Sequence, residues 1–274
     1  MNNTQTPPKP EYRMQNLLHS SFHLLPFFLL LGCSNPADNV PRAEVKTNTT
    51  AKNTAPKLTE AGDRTFAFGP EGSSIEFTGS KVTGSHNGGF KNFTGELKVA
   101  NGKLVDADNK VVIDASSLLA DNDRLTGHLK SPDFFGVAQF PTAVFVSTSI
   151  APNTTNSTVT GNLTLHGVTK EISFPAKIDV SANAVAVAAQ FAINRFDFGI
   201  VYKGMPNDLI RKEVVLKLNV NATPGKADFE SVVKAAQAGA AAIPATAARP
   251  GGTRPGPGTA PTRPGGQQPR APAR

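Results

Sequence analysis

Side chains able to act as nucleophiles, bases or metal ligands are few in this chain and widely spaced. Cys33 is the only cysteine, so one copy can form neither an internal disulfide nor a cysteine-ligated zinc or iron–sulfur centre. Of the five histidines, His19 and His23 fall in an N-terminal apolar segment, which leaves His86, His128 and His166. They form no HxH or HxxxH pair, so a metal site would need folding to bring them together. His128 follows Arg124 by one helical turn, and a structural hydrogen bond is the expected role. No serine sits in a GxSxG elbow, and no P-loop or GxGxxG follows a strand. The acids scatter mainly over outward positions instead of pairing as a general acid and base. The residues therefore predict no enzyme, no metal and no resident cofactor. One polar pair stands out: Asn194-Arg195, just before Phe196-Asp197-Phe198-Gly199. Its guanidinium could face a polar or phosphorylated headgroup, or equally an acid such as Asp197.

The elements that must position these groups are strands. From Thr65 to Val220 the apolar period is two. It is clearest where Ile172, Phe174, Ala176, Ile178 and Val180 alternate with Glu171, Ser173, Pro175, Lys177 and Asp179. Val185–Ile193 and Val214–Val220 repeat it, and Val159, Leu163 and Leu165 form another row. Weaker candidates span Ser74–Val82, Phe90–Val99, Leu104–Ala115 and Thr142–Ile150. Asn87-Gly88-Gly89, Asn101-Gly102, Pro152-Asn153 and Ala182-Asn183 read as separators. About eight strands joined by tight turns, with no room for helical crossovers, predict an all-β, up-and-down antiparallel sheet closed into a barrel. Asp121–Leu129 carries helix signals, is stopped by Ser131-Pro132, and is expected to close one end. Eight strands leave an interior that side chains can just fill, or that can hold one small ligand. Small inward candidates (Gly79, Gly95, Ala143, Gly161, Ala176, Ala189) favour a space along the axis. Phe77, Phe93, Phe145, Leu163, Leu165, Phe174, Phe191, Ile193, Leu216 and Leu218 are expected to line it. The rival reading is that these rows pack on one another and leave no void.

The flanks differ from this core. The net charge is +7, but Ala235–Arg274 holds five arginines and no acid, which leaves +2 for the rest and argues against a nucleic-acid surface on the folded domain. Phe22–Gly32 is apolar but too short to span a membrane, and fits the core of a signal peptide. Lys9 and Arg13 supply its charged flank if translation starts at Met1; a start at Met14 leaves none. Residues 34–62 read as a flexible tether. The barrel is expected over 63–222. Residues 223–274 read as a disordered tail rich in Pro, Gly, Ala and Arg, with a short helix over Lys226–Ala242 as its one structured possibility. The Arg-Pro-Gly repeats of the tail could touch anionic headgroups or simply remain solvated.

Two resemblances extend this reading. Leu30-Leu31-Gly32-Cys33 resembles the lipobox of bacterial lipoproteins, which would make residues 1–33 a signal peptide and Cys33 the acylated new N-terminus. Ser34, which is not aspartate, then favours the outer membrane; release into the periplasm is the alternative. Within the domain, Gly88–Gly95 (GGFKNFTG), Asp123–Phe135 (DRLTGHLKSPDFF) with Phe140–Phe145 (FPTAVF), and Gly161–Lys170 (GNLTLHGVTK) resemble the YceI-like polyisoprenoid-binding family in order and spacing. That family usually carries an acid after the Phe-Phe pair; here it is Gly136. The resemblance implies a lipocalin-like barrel whose tunnel takes the tail of an isoprenoid, quinone-like lipid or other long-chain amphiphile, for sequestration or transport in the cell envelope. The alternative is a structural or interaction barrel with a filled core. The implied partners are the lipid, the membrane through Cys33, and, as an open case, a second copy in a homodimer.

Overall fold

The computed structural model describes residues 35–46 and 64–243. The expected lipobox with Cys33, the apolar run before it, most of the expected tether and the Arg-Pro-Gly repeats lie outside the described residues.

Strands β1 (Glu44–Lys46), β2 (Arg64–Phe68), β3 (Ser74–Lys81), β4 (Gly84–Phe90), β5 (Phe93–Ala100), β6 (Lys103–Leu104), β7 (Lys110–Asp114) and β8 (Leu118–Ala120) precede helix α1 (Asp123–Lys130). Strands β9 (Thr142–Pro152), β10 (Ser157–Leu165), β11 (Val168–Val180), β12 (Val185–Asn194), β13 (Gly204–Met205) and β14 (Asp208–Pro224) follow, and helix α2 (Phe229–Ala241) comes last. The sheet closes on itself through β2–β5–β7–β9–β10–β11–β12–β14 and back to β2, every pair antiparallel: an eight-stranded up-and-down barrel, as expected. Closure satisfies the backbone donors that an open edge would expose.

The first three walls are each broken once. β2 and β3 run along the same edge of β14, interrupted at residues 69–73. Lys91-Asn92 separates β4 from β5, and a 3₁₀ turn, Ala115–Ser117, separates β7 from β8. The halves β3, β4 and β8 extend the wall beyond the closed ring. Here the sequence misled. Asn87-Gly88-Gly89 is not a separator but lies within β4. Gly88 is required there because a Cβ would come within 2.3 Å of Phe77 Cζ and 2.6 Å of the Leu119 carbonyl oxygen. β2 has five residues ahead of Gly69-Pro70 and only two apolar inward positions, Phe66 and Phe68, too few for periodicity to mark a strand.

The other departures concern the flanks. Residues 35–46, expected to be free tether, are strapped to the barrel. Asn35 caps a 3₁₀ turn at Pro36–Asn39. Ala37 packs on Ala192 and Val215 outside the wall, and β1 pairs with β11. The contacts use small residues at irregular spacing, so no periodicity advertised them. At the other end β14 runs to Pro224 and α2 follows, so folded structure continues into the span expected to be disordered from residue 223. Val232, Ala236 and Ala240 recur every four residues and form the buried face of α2.

Candidate ligand-binding site

The interior divides in two. At the end bearing the Ser181–Ala184 turn, Phe66, Phe93, Leu97, Val99, Val185 and Ala222 are buried against one another and fill the barrel. Toward the other end an almost wholly apolar, partly open cavity of about 360 Å³ remains. The apolar rows are therefore not pressed together along their whole length.

Nine of the ten anticipated side chains line this cavity: Phe77, Phe145, Leu163, Leu165, Phe174, Phe191, Ile193, Leu216 and Leu218. Phe93 does not. It is 2% exposed and belongs to the filled end, its ring 6.4 Å from that of Phe68. The small residues act differently from expectation too. Gly79 and Ala143 do border the space. Gly95 and Gly161 do not create room, because the rings of Phe68 and Phe145 lie where their Cβ atoms would be, at 2.1 and 2.4 Å. Ala176 and Ala189 pack within the wall beside Phe174 and Phe191, whose rings stack at 4.1 Å.

Helix α1 closes the cavity from the side where β8 has no pairing to β9. Asn122 caps it through Leu125 N, and Leu125 and Leu129, one turn apart, face the cavity. The turn after it adds Phe134 and Phe135, the latter packed on Phe77 and Phe90. Gly136 holds φ at +52° as its N–H donates to the Ser131 carbonyl at 2.9 Å. A glycine there closes the turn by backbone geometry, without a side chain. The plug residues were within reach of the sequence, since Leu125 and Leu129 share one face of a helix already expected to lie across the barrel.

One end of the cavity is cationic. Ser80, Lys81, His86, Arg195 and Arg211 are the polar residues along its wall, and no acid lines it. Arg195 is 4% exposed, and burial pulls its guanidinium below the usual arginine value. It forms no salt bridge with Asp197, which instead accepts from Asn194 Nδ2 at 3.3 Å. Its guanidinium donates to the carbonyls of Arg211 (3.1 Å), Ile200 (2.6 Å), Tyr202 (2.6 Å) and Ile210 (3.3 Å), clamping the loop before β14. Asn194 caps the 3₁₀ turn Arg195–Phe198 by accepting from Phe196 N at 3.1 Å, and it does not border the cavity. Arg211 went unnoticed in the sequence, where nothing distinguishes it from other basic residues on a strand. Its Nε is buried and has no hydrogen-bond partner among the described residues.

The histidines do not converge. His86 Nδ1 lies 3.0 Å from the Asp121 carboxylate, which this hydrogen bond holds below the usual carboxylate range. His128 Nε2 meets Asp133 at 3.1 Å, not Arg124. His166 Nδ1 is 3.1 Å from the Phe198 carbonyl oxygen. Among the described residues no cluster of three or more His, Cys, Asp or Glu is placed to hold a metal ion.

The YceI-like domain profile matches residues 66–222, which is the barrel from β2 to the end of the β12–β14 ladder. The chain belongs to the YceI-like domain family. Protein YceI of Salmonella arizonae is 39% identical over 92 residues, covering 33% of this chain and 48% of that protein. A UPF0312 protein of Pseudomonas aeruginosa is also 39% identical over 92 residues, with the same coverage. The chain thus spans about half the length of the curated relatives it matches. In three dimensions the YceI-like domain superposes on Burkholderia cenocepacia BcnA with a TM-score of 0.53 at 22% identity, over 57% of this chain and 99% of that one. The likeness is one of fold. The cavity and its cationic end are properties of this chain's own residues.

Proposed function

We propose that the barrel binds one long-chain amphiphile, with its tail in the apolar cavity and an anionic head at the end formed by Arg211, Arg195, Lys81 and His86. The observation that carries this reading is the combination of an apolar space inside the barrel and an end wall lined by Lys81, His86, Arg195 and Arg211. An apolar cavity of 150 Å³ holds one benzene, so about 360 Å³ corresponds to roughly fourteen carbons. That suits a single acyl chain or about three isoprene units; a longer isoprenoid would project from the barrel. Burial at about 0.8 kcal/mol per carbon gives roughly 11 kcal/mol of gross driving force, less the cost of immobilising the ligand. The tail sets the affinity. Head selectivity falls to Arg211, whose buried Nε lacks an acceptor that a carboxylate or phosphate oxygen would provide. With the lipobox, this describes a carrier or sequestering protein of the cell envelope that uses no catalytic group.

The test begins with protein purified from its native membrane. Native mass spectrometry and solvent extraction should release about one amphiphile per chain, and Cys33 should carry acyl mass. Delipidated protein should then prefer a fatty carboxylate over the alcohol of equal length. Arg211→Met should abolish that preference, at a loss of about 10- to 100-fold for the carboxylate alone. Clean extracts from well-folded protein would sink the reading.

A further inference from the structure

We propose that the barrel docks on a membrane with its cationic end toward the lipid, using an exposed apolar patch built by the loops around that end. The large exposed apolar residues of the described chain are Val82, Phe196, Val201, Met205 and Leu209, with Met205 reaching 63% exposure. Sequence separates them, but the fold collects them. Val82 N donates to the Leu209 carbonyl at 3.2 Å, and the β13–β14 pairing sets Met205 opposite Asp208. Arg195 lies 4.7 Å above the Phe196 ring and bonds the carbonyls on either side of Val201. Scattered single apolar residues need no explanation, whereas a gathered set on one end marks an interaction surface.

Three further observations say what covers it. The patch adjoins the cationic end of the cavity, since Lys81, Arg195, Ile210 and Arg211, which line that space, are chain neighbours of the exposed residues. The chain segments that carry it are rich in basic residues, Lys81, Lys203, Arg211 and Lys212, beside Asp197, Asp208 and Glu213. That complements anionic headgroups, at about 1 kcal/mol per cation near such a surface, and would set like charges together in a dimer through this face. The strap also ends here. Ser80 Oγ donates to Asn35 Oδ1 at 3.3 Å, Arg42 Nη1 pairs with Glu213 at 3.0 Å, and Ala43 N bonds the Ala192 carbonyl at 2.8 Å. Two Cα–Cα steps of about 3.8 Å put Cys33 within roughly 7.6 Å of Asn35. An acyl anchor on Cys33 would therefore hold this end against the surface with no slack. A ligand could then pass between bilayer and cavity without crossing water. The docking is read from the outer surface and stands whether or not the cavity reading does.

The chain contains no tryptophan, so one introduced indole reports alone. Leu209→Trp and Asn183→Trp place it in the patch and at the filled end. Each full-length variant, purified from membranes, is reconstituted into phosphatidylethanolamine–phosphatidylglycerol vesicles with brominated acyl chains. L209W emission should be blue-shifted and lost to quenching, N183W emission should be unaffected, and adding Met205→Asp to L209W should restore emission. Equal quenching at both positions, or none at either, would overturn the docking. So would a blue shift without quenching, which would mean that a second copy covers the patch. Quenched L209W protein that yields no lipid on extraction would keep the docking and reject the cavity reading.

Discussion

Gly79→Leu separates a hollow barrel from a packed one. Gly79 lies on β3 opposite Val214 and His86 and borders the cavity, and a Cβ placed on it meets no atom within 4 Å. Leucine would add about four carbons to the apolar space, worth about 3 kcal/mol at 0.8 kcal/mol each, with a further gain from removing a strand glycine. The ligand-free protein should therefore become more stable by up to about 3 kcal/mol, or roughly 6–12 °C in Tm for a domain of this size. The same four carbons are subtracted from the ligand's room. A chain of about fourteen carbons should bind about a hundredfold more weakly, while one of about ten should bind as before. The assay is a urea melt of delipidated protein together with calorimetric titration of saturated carboxylates of eight to eighteen carbons. A uniform loss across all lengths, or a destabilised protein, would refute the reasoning: the first because the cavity would not measure the tail, the second because the space beside Gly79 would not be open.

Gly161→Ala should act in the opposite sense: its Cβ would meet Phe145 Cζ at 2.4 Å and the Val146 carbonyl at 2.5 Å, so overpacking should lower stability by about 1–3 kcal/mol in a denaturant melt. Arg195→Lys should not rescue Arg195→Met, because an ammonium cannot span the four carbonyls held by the planar fork; both should lose several kcal/mol and show faster amide exchange across residues 200–211. The lowered pKa of Asp121, caused chiefly by its hydrogen bond to His86, adds stability above the ordinary aspartate value of 3.8 that is lost as pH falls through the depressed one. Melting curves of wild type and Asp121→Asn should therefore differ slightly at neutral pH and converge below that window.

The barrel was legible wherever strands alternate cleanly. β11 and β12 carry their apolar face in one uninterrupted row, and period two has no rival explanation there. The broken walls were harder to read. β4 is a strand of glycines and polar residues held by its neighbours on both sides, so tertiary pairing overrides its turn-like composition. The cavity's side chains were legible as a face, but its depth was not. Phe93 and Phe77 follow the same alternation, and only the three-dimensional taper places one in the filled end and the other beside the void. Arg195 was visible as a candidate, yet its bonding to four carbonyls arises from a loop that the sequence does not align.

The composition bears on why the space stays apolar. The chain has 17 phenylalanines, two tyrosines and no tryptophan. Tyrosine or tryptophan in such a wall would bring an O–H or N–H needing a partner and so invite water; phenylalanine brings none. Keeping an apolar void open is unfavourable, by about 24 cal/mol per Å³ where side chains have been deleted, or roughly 9 kcal/mol for about 360 Å³. Eight strands do not demand that penalty, because the end with Phe66, Phe93 and Val185 shows the same barrel filled by ordinary side chains. Ligand should accordingly raise Tm in proportion to the tail length it buries, up to the limit of the cavity. The hollow half also lies on the side where the Asn35 strap, the exposed apolar loops and the basic segments converge, so the end that gains most from a lipid guest is the end that docking would present to one.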